Sequence, residues 1–362
     1  MKINRSSKLS LKFLTSSKQE TLNRVLDEYA RVVNAFIDLF WDECPRKADL
    51  LKPVVDSVPS WFSARLRKVA AREAIDMVKS ASRKTGKRGG KPTHNGKRMC
   101  VSSTIAALKE PKHASEFDAW IHLASIGGGL ILDLPVRYHK HYHSMAARGR
   151  LMESYVITRS SVQLCFEIET GPKREPKTAV GIDTGINALA SLSTGEQLGT
   201  DINNLINKSK RKKWGSKGHK RALRSLRQRI DEVARDIAEK ADVLVVEDLL
   251  GITHKTRRRL GKEMRRSVGV WNVRYWMSRL QARTEDSRTA FRRVPAQYTS
   301  QCCSKCGHTD RRNRNGEMFV CRACGHTDNA DVQASHNILS RFLTGPYGAG
   351  CKPAALTYVN TA

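Results

Sequence analysis

Two sets of residues have the types and spacing to do chemistry. The first is a group of cysteines in TSQCCSKCGHTDRRNRNGEMFVCRACGH (299–326), where Cys303-x2-Cys306 and Cys321-x2-Cys324 stand fourteen residues apart. A CxxC turn points two thiolates at one ion, and Gly307 and Gly325 leave the backbone after each pair unhindered. Four thiolates close a tetrahedral shell around Zn2+ with no open position, so the expected zinc is structural. Cys302 is a competitor for Cys303 through a CxxxC knuckle, and His308 and His326 follow the knuckles as further donors. The plain alternative is a set of unmetallated thiols. The intervening NGEMFV suits a hairpin with Asn315-Gly316 at its turn.

The second set is three acids. Asp183 ends the apolar run TAVGID, Glu247 ends VLVVE, and Asp331 lies in DNADVQASHNILSRF, where Ala334 and Ile338 mark a helix start. Each acid alone reads as a cap, a surface charge or an ion-pair partner. Together, acids at strand ends converge on one edge of a sheet. Several carboxylates there can hold two divalent ions about 4 Å apart, one activating the attacking water and the other stabilising the leaving oxygen of a phosphodiester. Ions that keep waters and bind through a few carboxylates are Mg2+ or Mn2+. Asp328 is a nearby competitor for the role of Asp331.

The charge balance points to the substrate. Sixty-five Lys and Arg against thirty-five Asp and Glu give a formal charge of +30, which repels itself unless a polyanion is the partner. Residues 203–229 hold eleven Lys or Arg and no acid, so Lys210, Arg211, Lys212, Lys213, Lys220, Arg221, Arg224 and Arg227 are expected nucleic-acid contacts. A solvated basic face is the alternative. Membrane binding is not expected: the sequence has no run of about 20 apolar residues, no clean amphipathic basic helix and no signal-peptide pattern in MKINRSSKLSLKFL. Nine cysteines with four in CxxC pairs suit a reducing compartment, hence an expected cytoplasmic location.

The elements that position these groups follow from periodicity. Ile3, Leu9, Leu11 and Phe13 alternate like a strand, whereas Leu22, Val25, Leu26, Tyr29, Val33, Phe36, Ile37 and Phe40 recur at helical steps. A second helix is expected from near Pro59-Ser60 into the Gly- and Lys-rich loop 82–98. In VQLCFEIE, Val162, Leu164, Phe166 and Ile168 share one strand face, with Trp120–Leu123 and Leu130–Leu134 expected as its neighbours. GPKREPK (171–177) reads as a linker. Leu223, Leu226, Ile230, Val233 and Ile237 form one face of a long helix, and a further basic loop follows at 255–266.

In order along the chain, GIDTG, a basic helix, VVEDL, TSQ-CC-x2-CG, CxxCG and DVQASHNI resemble the TnpB family of insertion-sequence-encoded, RNA-guided DNA nucleases, related to type V CRISPR effectors. The motifs cover about 178–342; over 1–175 only the order of elements is similar. The resemblance implies a multidomain α+β protein. Its N-terminal β-barrel (WED/OB-like) would take strands from 1–15 and 86–175, with a helical recognition (REC) insertion at 16–85. A C-terminal RNase H-like (RuvC) domain would span 176–298 with a basic helix at 203–240, followed by the zinc ribbon 299–326, a last RuvC segment 327–345 and a tail 346–362. It further implies Asp183, Glu247 and Asp331 as the catalytic, Mg2+-binding acids, and guide RNA and target DNA as partners. The last motif departs from the family's DVNAAxNI at Gln333 and Ser335. Alternatives are a miniature type V CRISPR effector, a nuclease-silent guided repressor, and an unguided zinc nuclease or resolvase. Oligomeric state is not legible.

Overall fold

Alternating burial builds the N-terminal unit, Met1–Glu169. The computed structural model describes residues 1–83, 90–111, 113, 116–125, 129–249 and 261–345. Along this unit run β1 (Lys2–Ser10), α1 (Ser16–Phe40), α2 (Lys52–Asp56), α3 (Ala64–Arg83), β2 (Arg98–Ser102), β3 (Ala106–Lys109), β4 (Ala119–Ser125), β5 (Leu130–Val136), α4 (Lys140–Ala146), β6 (Gly149–Thr158) and β7 (Ser161–Glu169). The strands make two antiparallel sheets, β1-β7-β6-β2 and β3-β4-β5, and the described ladders do not join them into one closed ring. Leu22, Val25, Leu26, Tyr29, Val33, Phe36, Ile37 and Phe40 of α1 are buried, in one core with Val162, Leu164, Phe166 and Ile168 of β7. The runs at 119–125 and 130–136 do form strands, but β4 pairs with β3 and β5 with β4, and neither pairs with β7. Both edges of β7 are already taken by β1 and β6. The second long helix begins at Ala64, after the short α2, later than the sequence suggests.

In the C-terminal unit, from Thr170, the apolar runs are buried on both faces, as parallel strands require. Here lie β8 (Ala179–Asp183), β9 (Ala190–Leu192), β10 (Gln197–Leu198), α5 (Ile202–Lys210), α6 (Lys217–Ala238), β11 (Val243–Glu247), α7 (Lys262–Trp271), α8 (Val273–Asp286) and β12 (Ala290–Val294). Then come β13 (Arg314–Asn315), β14 (Met318–Val320), β15 (Thr327–Asn329) and α9 (Ala330–Thr344). The main sheet has the order β10-β9-β8-β11-β12. Strands β8, β11 and β12 are parallel, while β9 is antiparallel to both β8 and β10. On one face Val180, Ile182, Leu244 and Val246 pack with Leu226, Ile230, Trp276 and Leu280. On the other, Ala179, Val243 and Val245 pack with Ile338 and Leu339 of α9.

The basic stretch expected as one helix over 203–240 is two helices. They break at 211–216, where Gly215 takes φ 76° and the Ser216 side chain caps α6 by accepting from the His219 amide. None of the described helices is long and apolar enough to cross a membrane. Residues 84–89 of the Gly/Lys-rich loop, 255–260 of the second basic loop and the tail 346–362 lie outside the described residues.

Candidate active site and metal centre

Parallel pairing brings two of the acids together. Strands β8 and β11 run in register up to Ile182 opposite Val246, so the next residues, Asp183 and Glu247, end side by side. Asp331 arrives in the first turn of α9, whose N-terminus is capped by the Asn329 side chain accepting from the Asp331 and Val332 amides. Helix α9 can pack this closely because Gly181 has no side chain: a Cβ there would lie 2.2 Å from the Ser335 carbonyl oxygen and 2.8 Å from the Leu339 nitrogen.

Burial pushes the Asp183 carboxyl well above its usual range, with the charges of Glu247 and Asp331 adding to the effect. Burial likewise raises Glu247, against the hydroxyl of Thr299 that donates to its Oε1. Two guanidinium charges answer this: Arg341 and Arg314 both act against the rise of Glu247, and Arg314 Nη2 donates to Asp331 Oδ1 at 2.6 Å. Three carboxylates drawn together in a partly buried site still create a condition that a divalent cation relieves, so these residues could hold Mg2+ or Mn2+. The acids stand more openly than a closed cage. Among the described residues, the group of three or more ligand atoms lying within 4.8 Å of one another is the cysteine cluster.

That cluster comprises Cys303, Cys306, Cys321 and Cys324. The Cys303–Cys324 and Cys306–Cys321 sulfurs are 3.7 and 3.5 Å apart. Zinc–sulfur bonds of about 2.3 Å in a tetrahedron require sulfurs separated by roughly 3.8 Å, so the donor set is compatible with a zinc ribbon. Backbone amides of Cys324 and Ala323 hold the Cys321 thiol down to about 6, whereas Cys306, against a backbone hydrogen bond at His308, is pushed up to about 12 by the neighbouring thiols. Cys302 lies outside the cluster, in a bridge with Thr309. His308 and His326 contribute backbone carbonyls, which accept from the Cys303 and Cys321 amides. The hairpin turns at Gly316-Glu317, one residue later than expected, since Asn315 pairs with Met318 and Gly316 takes φ 60°.

Several residues that sequence reasoning passed over tie the two centres together. Asn337 donates to the carbonyls of Thr299 and Cys302, both at 2.7 Å. Gln333, fully buried, donates to Cys302 O and accepts from Ser304. Thr299 thus touches Glu247 through its side chain and α9 through its carbonyl. The departure at position 333 has a structural use, and that departure from the motif was the one signal in the sequence. Beside Arg314, a 520 Å³ cleft is lined by Asn187, Gln301, Arg311 and Glu317. Of the eight expected basic contacts, Arg211, Lys212, Lys213, Lys220, Arg221, Arg224 and Arg227 are exposed. Lys210 is not free in the same way: it is bound to Glu263 and to Ser267, both at 2.9 Å. Asp328 sits on β15, paired with Phe319.

The family pattern of the Cas12f1-like TNB domain matches residues 276–338. Among curated proteins, the chain is 30% identical over 137 residues to the TnpB-like protein aq_aa05 of Aquifex aeolicus, covering 37% of this chain and 44% of that one. It is 28% identical over 215 residues to an Escherichia coli protein named "Putative RNA-guided DNA endonuclease InsQ", covering 50% and 52%. It is 32% identical over 103 residues to the CRISPR-associated endodeoxyribonuclease Cas12f1 of Sulfoacidibacillus thermotolerans, covering 28% and 22%. The chain thus spans about half the length, or less, of the curated relatives it matches. Among solved structures, it aligns with Cas12f1 in a complex with sgRNA and target DNA at TM-score 0.38 and 16% identity, over 94% of this chain and 100% of that one. With CasPhi-2 bound to crRNA the TM-score is 0.44 at 12% identity, over 95% and 99%. By these matches the chain is similar in sequence to proteins named TnpB-like and InsQ, and its residues 276–338 match the Cas12f1-like TNB domain.

Proposed function

We propose that this chain is an RNA-guided DNA endonuclease of a mobile element, hydrolysing phosphodiester bonds at Asp183, Glu247 and Asp331. The observation that carries this is the convergence of three acids, from β8, β11 and α9, at one end of the main sheet. The order β10-β9-β8-β11-β12, with β9 antiparallel, supports reading 176–298 and 327–345 as an RNase H-like (RuvC) domain. Asp183, Glu247 and Asp331 would hold Mg2+ or Mn2+, which supplies an activated water and neutralises charge on the phosphate. The chain's own residues do the positioning. Thr299 orients Glu247, Asn329 fixes the helix start that presents Asp331, and Arg314 holds Asp331 Oδ1. Cys303, Cys306, Cys321 and Cys324 would hold Zn2+ and brace the ribbon 299–326 against α9. The names of the relatives support guide RNA and target DNA as partners, and the reducing-compartment cysteine usage supports the cytosol as the place of work. The N-terminal unit would then be the barrel and helical insertion that grip the guide.

The test has two parts. RNA that copurifies with the chain expressed beside its native flanking DNA is sequenced, and one dominant structured RNA with a variable end is expected. DNA matching that end is then offered with Mg2+: wild type cuts it, and Asp183→Ala binds it without cutting, because the basic surface is untouched. Heterogeneous RNA lost in moderate salt, or cutting by Asp183→Ala at the wild-type rate, overturns the proposal. A nuclease-silent guided binder is the second reading, favoured by the Arg314–Asp331 ion pair, which places a fixed cation on one of the acids. Guided binding by wild type with no cutting in Mg2+ or Mn2+ would select it.

A further inference from the structure

The break between α5 and α6 exposes an aromatic ring in a basic setting. Trp214 lies in this loop with 81% of its surface open to solvent, far more than an indole keeps without a reason. Its ring stands against His219 at 4.7 Å between centroids. The loop is anchored: the Gly215 amide donates to His219 Nδ1, and Arg266 donates to the Lys210 carbonyl at 2.6 Å. Two notches flank the indole. One, of 250 Å³, is lined by Ser209, Lys212 and Arg266; the other, of 140 Å³, by Arg227, Trp271 and Tyr275. Both fall below the ~300–1,000 Å³ of a small-molecule pocket, so they suit a ring or a phosphate and not a whole cofactor.

We propose that Trp214 is a stacking platform for an unpaired base of a single-stranded nucleic acid, whose phosphates lie on Lys212, Arg266 and Arg227. Stacking on an indole takes any base, and the flanking cations track the backbone, as single-strand sites require. The acids bordering this surface are paired: Glu263 with Lys210, and Asp231, which accepts from the Tyr275 hydroxyl, with Arg279. The inference rests on the chain being a nucleic-acid binder, and its test separates the two.

Full-length protein is titrated, in one buffer of fixed salt, against labelled oligo-dT, oligo-U and a duplex of the same length. Trp214→Ala is expected to weaken single-strand binding about tenfold, with duplex binding and the melting temperature nearly unchanged. Trp214→Phe keeps most of the affinity. The dependence of affinity on salt keeps its slope, since no charge is removed. A larger loss for oligo-U assigns the strand to RNA, and a larger loss for oligo-dT assigns it to DNA. Single-strand binding by Trp214→Ala equal to wild type, or an equal loss on duplex and single strand, overturns the proposal and leaves nucleic-acid binding standing. Wild-type protein that binds none of the three probes overturns both.

Discussion

Gly181→Ala inserts one methyl group where β8 and α9 touch. In place, that carbon would lie 2.2 Å from Ser335 O, 2.8 Å from Leu339 N and 2.9 Å from Leu339 Cβ. Unstrained carbon contacts begin near ~3.3–3.5 Å, and two of the three atoms are backbone, so no side-chain rotation relieves the clash. The helix has to retreat by about 1 Å, at a cost of about 1–3 kcal/mol for overpacking a close-packed core. For a unit of this size each kcal/mol is about 2–4 °C of melting temperature, so a drop of roughly 2–12 °C is expected. The same retreat moves Asp331, one helical turn before Ser335, away from Asp183. Misplacing a catalytic group by about 1 Å costs on the order of a hundredfold in rate. Thermal melts and single-turnover cutting of guide-matched DNA in Mg2+ read both effects. Gly90→Ala is the control, since a Cβ there meets nothing within 4 Å. Metal content of the cysteine cluster is read alongside, because Gln333 and Asn337 tie α9 to the first knuckle and a retreat of the helix is felt there too. A Gly181→Ala protein with wild-type melting temperature and wild-type cutting would refute the claim that the approach of α9 at this glycine sets the position of the third acid.

Two further expectations concern the two centres. Because the folded state raises the Asp183 and Glu247 carboxyls, it binds more protons than the unfolded chain. Without divalent ions, stability therefore falls as pH rises from the usual carboxylate range through the raised values. Asp183→Asn should flatten that fall and melt higher than wild type at neutral pH in chelator, which melts across pH will show. Cys306→Ser should lower bound zinc from one per chain toward none and destabilise the region 299–329 by several kcal/mol, since structural zinc supplies about 10–16 kcal/mol of apparent binding energy. Elemental analysis and proteolysis within the ribbon check this, and a variant that keeps one tightly held zinc contradicts it.

The candidate chemistry was legible where it depends on local rules. A CxxC pair is a property of four consecutive residues, so the cysteine cluster could be read before any fold was known. The apolar runs ending at Asp183 and Glu247 are strands by composition, and their last residues must emerge at a sheet edge. The face formed by Leu226, Ile230, Val233 and Ile237 follows from helical period alone. Which strands are neighbours is a different matter. The partner of Asp183 lies 64 residues away across a parallel pairing, and the partners of VQLCFEIE are β1 and β6 instead of the nearer apolar runs. Side-chain period specifies a face, and pairing is chosen by which edges remain open.

Tertiary structure alone decided the supports of the site. Thr299, Arg314, Gln333 and Asn337 are ordinary polar residues in sequence. They became the contacts to Glu247, Asp331 and the first knuckle only once the ribbon folded against α9. It also divided a uniformly basic stretch into parts with different uses, sealing Lys210 to Glu263 while leaving Trp214 in solvent. Charge and aromatic content are sums over the chain, but exposure and pairing depend on atoms brought in from distant segments, and a one-dimensional pattern does not contain them.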